Sequence, residues 1–280
     1  MSSTVREARA EDAPGIADWT RETFEWGDYV AGSIAEWIED RSRHVLVAVD
    51  TEDIPKAMAV VRMLSPYEGW LSAARVRPDS QRQGLGSLLN DASVEWIRSR
   101  GGRVARLATE DVNTAARSQV EKLGYRKVST WVYAEIEPGT APQPFGPEKL
   151  KPAGRSDVDP AWIYWSTSEL YETGRGLKPE QWTWRRGTVA DLEQAARNQQ
   201  LYTNPAGWVA LERIDQELEV TWVATSPNDF PRLVAGIDTL GSEWGVSEIS
   251  YHVPQTGWSG EALLRAGAEV SEILVYAKAV

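Results

Sequence analysis

The sequence predicts an α+β fold, resembling an α/β sandwich, in which two tandem halves each carry a mixed, mostly antiparallel sheet flanked by helices. The first half has the order strand, two helices, three strands, helix, strand, helix, strand. A segment rich in proline and glycine follows, and the second half then repeats this order weakly. We therefore predict one domain over residues 1–137, a linker over 138–149 and a second domain over 150–280.

The composition is typical of a globular protein with room for about two domains. The chain has 280 residues, of which 42% are hydrophobic, and 14 are tryptophans. No apolar run approaches the ~18 residues that a membrane span needs, and the N-terminus lacks a basic and apolar signal region. The chain has no cysteine, which excludes disulfides and thiolate metal sites. We expect a cytoplasmic protein without a metal or membrane contact.

The charge balance bears on the partners of the protein. The formal net charge is −11, which argues against general binding to nucleic acid. The same field favours a cationic or amine ligand, although a high net charge also serves solubility alone.

The elements of the first half follow from apolar periodicity and from turn residues. Helical spacing of apolar side chains predicts two helices, Ala13–Phe24 and Tyr29–Glu39. Three β-rich runs separated by Asp53-Ile-Pro55 and Ser65-Pro66 predict a meander. The predicted strands are Val5–Ala8, His44–Val49, Ala57–Met63, Trp70–Val76 and Arg103–Ala108, with a further helix over Ser87–Arg98.

The linker and the second half rest on composition and on one internal repeat. Residues 138–149 contain four prolines and two glycines, which is typical of a linker. The segment 124–134 aligns without gaps with 267–277, so that a glycine and the tripeptide Val-Tyr-Ala coincide. An unrelated α+β domain remains an alternative for this half. The predicted elements are strands at 150–153, 208–213, 218–225 and 248–253, helices at 159–173, 179–199, 231–244 and 260–266, and a last strand.

The segment Val76–Gly86, read as V-R-P-D-S-Q-R-Q-G-L-G, is suited to an anion. It lies between a strand and a helix. Gly84 and Gly86 have no side chain that would keep a ligand from the backbone N–H groups. The helix start adds partial positive charge. The spacing is neither the dinucleotide fingerprint nor a P-loop.

This arrangement resembles the GNAT acetyltransferase family, whose acetyl-CoA motif is Q/R-x-x-G-x-G/A. Gln81, Gly84 and Gly86 match that motif. The strand with V-x-P before the loop, Asn113-Thr-Ala-Ala116, and the ending Lys122-Leu-Gly-Tyr125 also match the family. The resemblance covers residues 4 to about 136. It implies that the second half is a degenerate copy of the same fold.

The resemblance implies acetyl-CoA as cosubstrate and a set of residues that hold it. The backbone of Ala74, Arg75 and Val76 would pair with the pantetheine arm, and Asn113 would bond to that arm or cap its helix. Arg82 or Arg117 would contact a phosphate, or either would be a solvated surface charge. The loop itself would hold the pyrophosphate with Gln81, Arg82, Gln83, Gly84, Leu85, Gly86 and Ser87.

The second half lacks this loop. Aligning Pro227 with Pro78 places Leu233 and Ala235 where the glycines would be. The branched side chain of Leu233 would crowd a pyrophosphate. We therefore expect one acetyl-CoA per chain, in the first half.

The acid and the base differ from those of familiar family members. The tyrosine expected seven residues after the asparagine is Val120 here. Some members have a glutamate five residues before the asparagine, where this chain has Ala108. Others have a glutamate on the central strand, where this chain has Trp70. Among the remaining carboxylates, Glu110 and Glu68 are the candidate bases, and each is also compatible with an ordinary loop charge.

The predicted function is an acetyl-CoA-dependent N-acetyltransferase that acts on a primary amine by direct transfer. The acceptor would be a small-molecule amine or a peptide, and the protein a monomer or homodimer. The alternative is a GNAT fold that binds acetyl-CoA as a sensor or scaffold without turnover. His44 and His252 are placed at strand starts and predict no metal site. Trp162, Tyr164, Trp165, Trp182 and Trp184 predict core packing or an amine pocket.

Overall fold

The computed structural model describes residues 3–21, 23, 27–142 and 149–280. Its contacts divide the chain into two compact units. Unit 1 is drawn from residues 1–107, 118–126 and 276–280, and unit 2 from residues 108–117 and 127–275. The units are therefore interleaved along the chain, and the predicted domain division at 137 and 150 stays a prediction. Residues 143–148 of the predicted linker lie outside the described residues.

The first part of the chain follows the predicted order of elements. Its strands are β1 (Thr4–Glu7), β2 (His44–Val49), β3 (Pro55–Ser65), β4 (Glu68–Val76), β5 (Val104–Glu110) and β6 (Arg126–Ile136). Its helices are α1 (Ala13–Thr20), α2 (Val30–Glu39), α3 (Leu85–Ser99) and α4 (Thr114–Lys122). Helix α3 begins two residues earlier than the apolar spacing predicts, because Gly84 in the left-handed region starts the helix at Leu85.

The sheet of unit 1 is a meander extended by one parallel strand. Strands β1 to β4 pair antiparallel in sequence order. Strand β5 pairs parallel with β4, which requires the crossover that α3 provides. Helix α3 packs closely here, since a Cβ at Gly69 would lie 2.3 Å from Cδ1 of Ile97. The core of this unit contains Ile16, Ile34, Val47, Met58 and Val60.

The second part of the chain contains the remaining elements. Its strands are β7 (Lys151–Pro152), β8 (Leu177–Glu180), β9 (Thr183–Arg186), β10 (Leu201–Asn204), β11 (Gly207–Ile214), β12 (Glu217–Thr225), β13 (Glu248–Pro254) and β14 (Glu269–Ala279). Its helices are α5 (Arg155–Ser166), α6 (Glu169–Thr173), α7 (Val189–Arg197), α8 (Phe230–Trp244) and α9 (Ser259–Arg265).

The main sheet of unit 2 has the order β14-β6-β13-β12-β11-β10-β7. Strands β10 to β12 form an antiparallel meander, and β13 pairs parallel with β12 after the crossover helix α8. This order of elements repeats that of β2 to β5. Strand β6 pairs antiparallel with β13. The predicted α+β fold, with mostly antiparallel strands flanked by helices, is confirmed.

One predicted helix is wrong in its first half. Apolar spacing predicts a helix over residues 179–199, whereas β8 and β9 form an antiparallel hairpin there and α7 begins at Val189. The reason is tertiary packing, because Trp184 is completely buried and Thr183 nearly so. The predicted helix over 159–173 is two helices, α5 and α6.

The last five residues of the chain belong to unit 1. The backbone N–H of Val280 donates to the carbonyl of Arg103 at 3.0 Å. Lys278 Nζ donates to the carbonyl of Leu123 at 2.8 Å, and the hydroxyl of Tyr276 donates to Oε1 of Glu121 at 3.1 Å. The chain end thus holds the C-terminal turn of α4 in this unit.

Candidate active site

The second half of β4 is shaped by a bulge. The β3–β4 register shifts between the pairs Met58–Arg75 and Val60–Ser72. The extra residue opposite β3 allows Ala73 to adopt a φ of 51°, a left-handed value that is rare for a residue with a side chain. Such a bulge turns the strand and changes the direction of its backbone groups.

The pairing between β4 and β5 is short. It covers three residue pairs and ends at Trp70 and Arg106. Beyond Trp70, β4 continues along β3 to Val76. The backbone groups of Ala74 and Val76 that point away from β3 are therefore outside this ladder, in an arrangement that can accept an extended ligand as an added strand.

The loop after β4 makes two left-handed turns before α3. A short 3₁₀ turn covers Pro78–Ser80, and Gln81 is extended. Arg82 then has a φ of 61° and Gly84 a φ of 82°. Gln81, Arg82, Gln83 and Gly84 are all exposed. Arg82 is in no ion pair within the described residues.

The start of α3 is an uncapped helix end. Gly84 is the N-cap residue, and no side chain bonds to the first turn. The helix has 15 residues, so the N–H groups of Leu85, Gly86 and Ser87 carry the partial positive charge of its start. Exposed N–H donors at a long helix start, approached over a residue without Cβ, form an arrangement suited to a phosphate group.

Gln119 of α4 lies directly against this helix start. A Cβ at Gly86 would be 2.2 Å from Nε2 of Gln119. No local pattern marks Gln119 as a site residue, because its position against the loop depends on how α4 packs. The side chain carries both a donor and an acceptor beside the loop.

The side chain of Arg75 has a structural role in unit 1. Its Nε donates to Oδ2 of Asp28 at 2.6 Å, and its guanidinium lies 5.5 Å from the ring centre of Tyr29. The side chain of Asp28 is fully buried. This ion pair fixes the segment before α2 against the end of β4, so the side chain of Arg75 is engaged within unit 1.

Glu68 is buried at the opposite end of β4 from the loop. It forms an ion pair with Arg106, and Oε2 accepts a hydrogen bond from Oγ of Ser65 at 3.2 Å. The side chains of Glu68 and Arg106 are 11% and 13% exposed. Both carboxylate oxygens of Glu68 are thus engaged in contacts within unit 1.

The other predicted site residues belong to unit 2. Oδ1 of Asn113 accepts from the backbone N–H of Ala116 at 3.0 Å, so Asn113 caps the first turn of α4. Arg117 Nη1 lies 2.8 Å from both the carbonyl oxygen and Oδ1 of Asp111. This pairing reduces the charge that Arg117 offers to a phosphate. Glu110 ends β5 and is exposed.

A cleft of about 540 Å³ in unit 1 lies beside the loop. It is lined by the end of α1 and by the first residues of the loop, namely Asp18, Trp19, Arg21, Arg77, Pro78 and Asp79. Arg77 pairs with Asp79 at 2.8 Å. The cleft is lined by positively and negatively charged side chains and by an indole ring.

Tyr67 and Tyr29 are exposed, whereas Tyr125 is buried and its hydroxyl donates to Oδ1 of Asn90 at 3.0 Å.

The histidines differ in position from the prediction in one case. His44 begins β2, as predicted, but His252 lies within β13 and is 3% exposed. Within the described residues, no group of three or more metal-binding side chains occurs. In the same part of the chain, no helix is long and apolar enough to cross a membrane.

Comparison with known proteins agrees with this geometry. Residues 13–125 match the sequence model of the acetyltransferase (GNAT) family. The chain carries a GNAT domain. The matched range contains the bulged strand, the loop and the start of α3. The family uses acetyl-CoA as cosubstrate and catalyses acetyl transfer.

Solved structures similar to this chain have the same fold along nearly its whole length. A GCN5-related N-acetyltransferase from Sphaerobacter thermophilus is 18% identical, with a TM-score of 0.67, covering 99% of this chain and 95% of that one. One from Kribbella flavida is 14% identical, with a TM-score of 0.51, covering 98% and 71%.

A third similar structure is a region of a fungal multi-domain GH3 β-N-acetylglucosaminidase, described as a GCN5-related glucosamine N-acetyltransferase region. It is 14% identical, with a TM-score of 0.68, covering 98% of this chain and 38% of that one. A search of curated proteins found no match. At these identities the likeness establishes the fold.

Proposed function

We propose that the protein is an N-acetyltransferase that transfers the acetyl group of acetyl-CoA directly to a primary amine. The observation that carries this proposal is the uncapped start of α3 behind Gly84, at the end of a bulged strand. Thioester, pyrophosphate and amine need three different kinds of contact, and the loop and β4 of the GNAT domain offer the first two.

The pyrophosphate would be held by the backbone of Arg82 to Ser87. The left-handed φ values of Arg82 and Gly84 turn successive N–H groups toward one side of the loop. Gly84 has no neighbouring atom within 4 Å of an added Cβ, so the approach to the loop is open. Arg82 is the side chain that would add a charge contact with a phosphate.

The acetyl group would be positioned by β4. An extended pantetheine arm would pair with the outer backbone groups of Ala74 and Val76, which the short β4–β5 ladder leaves available. A backbone N–H near Val76 would then donate to the oxyanion that forms when the amine nitrogen attacks the thioester carbon. The C–S bond breaks as the tetrahedral intermediate collapses, and the thiolate takes a proton from water.

The amine must lose a proton before or during the attack. Glu110 is the candidate base, because it is exposed and its side chain is in no ion pair within the described residues. Glu68 is the weaker candidate, since its charge is compensated by Arg106. Val120 cannot donate a proton to the thiolate, so positioning and backbone polarity would supply most of the rate.

The acceptor would be a small-molecule amine or a peptide N-terminus. The net charge of −11 attracts such cations over a distance. One similar structure is described as a glucosamine N-acetyltransferase region, which makes amino sugars a first set of acceptors to test. We also propose that the protein is a monomer or homodimer, that it is cytoplasmic, and that its second half is a degenerate copy of the GNAT fold.

The test is release of free thiol from acetyl-CoA with a panel of amines, together with calorimetry of acetyl-CoA binding. We expect one binding site per chain, and turnover with at least one amine. Binding without turnover across the panel would favour the alternative of a non-catalytic acetyl-CoA sensor. Absence of binding would contradict both functions.

A further inference from the structure

One face of the unit 2 sheet carries ionisable side chains from three neighbouring strands. Glu219 lies on β12 and pairs in register with Ser250 of β13, two residues before His252. His252 in turn pairs with Tyr133 of β6. Paired residues and residues two apart point to the same face of a sheet. Glu219, His252 and Tyr133 therefore share one face.

Glu219 and His252 are buried, and three of their polar atoms lack a hydrogen-bond partner within the described residues. They are 6% and 3% exposed. Oε1 of Glu219 and Nδ1 of His252 are 3.5 Å apart, in a geometry that is not a hydrogen bond. Among the described residues, neither His252 nitrogen nor this carboxylate oxygen has a hydrogen-bond partner. Burying polar atoms without hydrogen bonds is unfavourable for folding.

Burial shifts both groups toward their neutral forms. It lowers the pKa of His252 to about 4 and raises the pKa of Glu219. A neutral imidazole has one nitrogen that accepts a hydrogen bond. The pair thus presents acceptor atoms to the same small volume, and a cation there would restore the charge of Glu219.

Aromatic rings surround the histidine. The ring centres of Tyr133, Trp182 and Trp184 lie 4.9, 5.3 and 5.5 Å from that of His252. The hydroxyl of Tyr133 donates to Glu135, which adds a further carboxylate to this face. Aromatic faces combined with carboxylates attract organic cations.

The turn that covers this face is strained. Gln181 and Trp182 connect β8 to β9 and have φ values of 44° and 63°. A two-residue turn of this kind favours Asn and Gly, so these residues carry a conformational cost. The backbone of Gln181 hydrogen-bonds to Glu219. Trp182 is 43% exposed and lies 4.7 Å from Tyr133, so its ring is the most exposed member of the group.

The corresponding positions of β4 and β5 carry no ionisable side chains. Glu217 pairs with Glu248 as Glu68 pairs with Val104. By this register, Glu219 corresponds to Trp70 and His252 to Ala108. The same positions of β4 and β5 are therefore occupied by a tryptophan and an alanine. This contrast indicates that Glu219 and His252 serve a ligand rather than the fold.

We propose that Glu219 and His252 bind the ammonium group of a primary amine, with Tyr133, Trp182 and Trp184 around it. The ammonium donates hydrogen bonds to Oε1 of Glu219 and to the imidazole, and its charge faces the aromatic rings. Trp182 moves aside with its strained turn to admit the amine. A metal ion would need more ligands than one carboxylate and one imidazole. This site is additional to the proposed acetyl transfer and needs no acetyl-CoA.

The experiment follows the two histidines of the full-length chain by NMR, because 2 histidines give two Cε1–H signals. His44→Gln assigns them. We expect n-butylammonium, added without acetyl-CoA at millimolar concentration, to shift the His252 signal and leave the His44 signal unchanged. Tetramethylammonium should bind at least about tenfold more weakly, because it cannot donate a hydrogen bond.

Variants identify the site. Glu219→Gln should weaken n-butylammonium binding at least about tenfold, whereas Glu217→Gln removes the same charge from an exposed position of the same strand and should leave affinity unchanged. Trp182→Ala, on an exposed turn, should also weaken binding and serves if Glu219→Gln fails to fold. Equal affinities in Glu219→Gln and Glu217→Gln, or no shift of the His252 signal, would overturn the proposal.

Discussion

Gln119 lies so close to Gly86 that an added Cβ would stand 2.2 Å from its Nε2. The contact joins α4 to the start of α3. The atom in contact is the end of a flexible side chain, so an alanine at residue 86 can be accommodated if Gln119 rotates. The absence of a side chain at this position is therefore a requirement of Gln119, not of the helix backbone.

Gly86→Ala tests this relationship. Alanine is favoured over glycine in helices, so we expect Gly86→Ala in a Gln119→Ala background to raise the free energy of unfolding by about 0.5 kcal/mol. In the wild-type background the gain should be smaller, because Gln119 must move. Denaturant unfolding of the four proteins measures the difference, and equal gains in both backgrounds would show that no steric contact exists.

Gly84→Val tests the anion loop. Valine at a φ of 82° is strained and projects a side chain over the N–H groups of the loop. We expect acetyl-CoA affinity to fall at least about tenfold, or about 1.4 kcal/mol, as measured by calorimetry. The matched control is Gly101→Val, which has a φ of 84° just beyond the other end of α3. The Gly101→Val variant should show a similar decrease in the free energy of unfolding and an unchanged affinity for acetyl-CoA. Equal affinity in both variants would mean that the loop is only a turn.

Substitutions of Glu110 and Glu68 should have different effects, one on the rate of acetyl transfer and the other on the free energy of unfolding. Glu68→Gln leaves Arg106 buried without its ion pair, so we expect a loss of about 2–4 kcal/mol in the free energy of unfolding. Turnover of the protein that remains folded should change little. Glu110→Gln changes an exposed side chain, so stability should stay the same while the rate of acetyl transfer falls, most strongly where the amine is protonated. Thiol release and denaturant unfolding measure the two effects. An unchanged rate in both variants would show that the amine arrives already neutral.

The sequence was informative where the signal is local. A β-rich run predicted β2 to residue precision, and the turn residues Asp53 to Pro55 and Ser65-Pro66 located the meander. The loop at Gln81 to Gly86 was likewise visible, because glycine spacing reports the backbone conformation directly. In the matched range the fold prediction succeeded for this reason.

Other features depend on contacts between distant segments. The turn Gln181-Trp182 contains no glycine or asparagine, so nothing local marked the hairpin that was predicted as helix. The Glu68–Arg106 pair follows only from the parallel register of β4 and β5. The membership of residues 276–280 in unit 1 has no local signal at all. A signal for Glu219 and His252 did exist, since each is an ionisable residue flanked by apolar residues within a predicted strand.

His252 makes stability depend on pH in a defined direction. Burial lowers its pKa to about 4 from the ordinary 6.5, so the unfolded chain takes up a proton before the folded one does. The folded state therefore loses stability as the pH falls from 6.5 toward 4. We expect His252 to account for a loss of about 2 kcal/mol between about pH 7.5 and about pH 5.

Glu219 and His44 also make stability depend on pH, so both are substituted in the two proteins that are compared. Burial raises the pKa of Glu219, which faces His252, so its protonation favours the folded state as the pH falls. Burial also lowers the pKa of His44, which stacks on Trp96. We therefore compare unfolding of His44→Gln/Glu219→Gln with the same protein carrying His252→Gln. The protein that keeps His252 should lose about 2 kcal/mol more on acidification. Parallel curves would mean that His252 has the same pKa in the folded and unfolded states. Burial would then not hold the imidazole neutral, as the amine site requires.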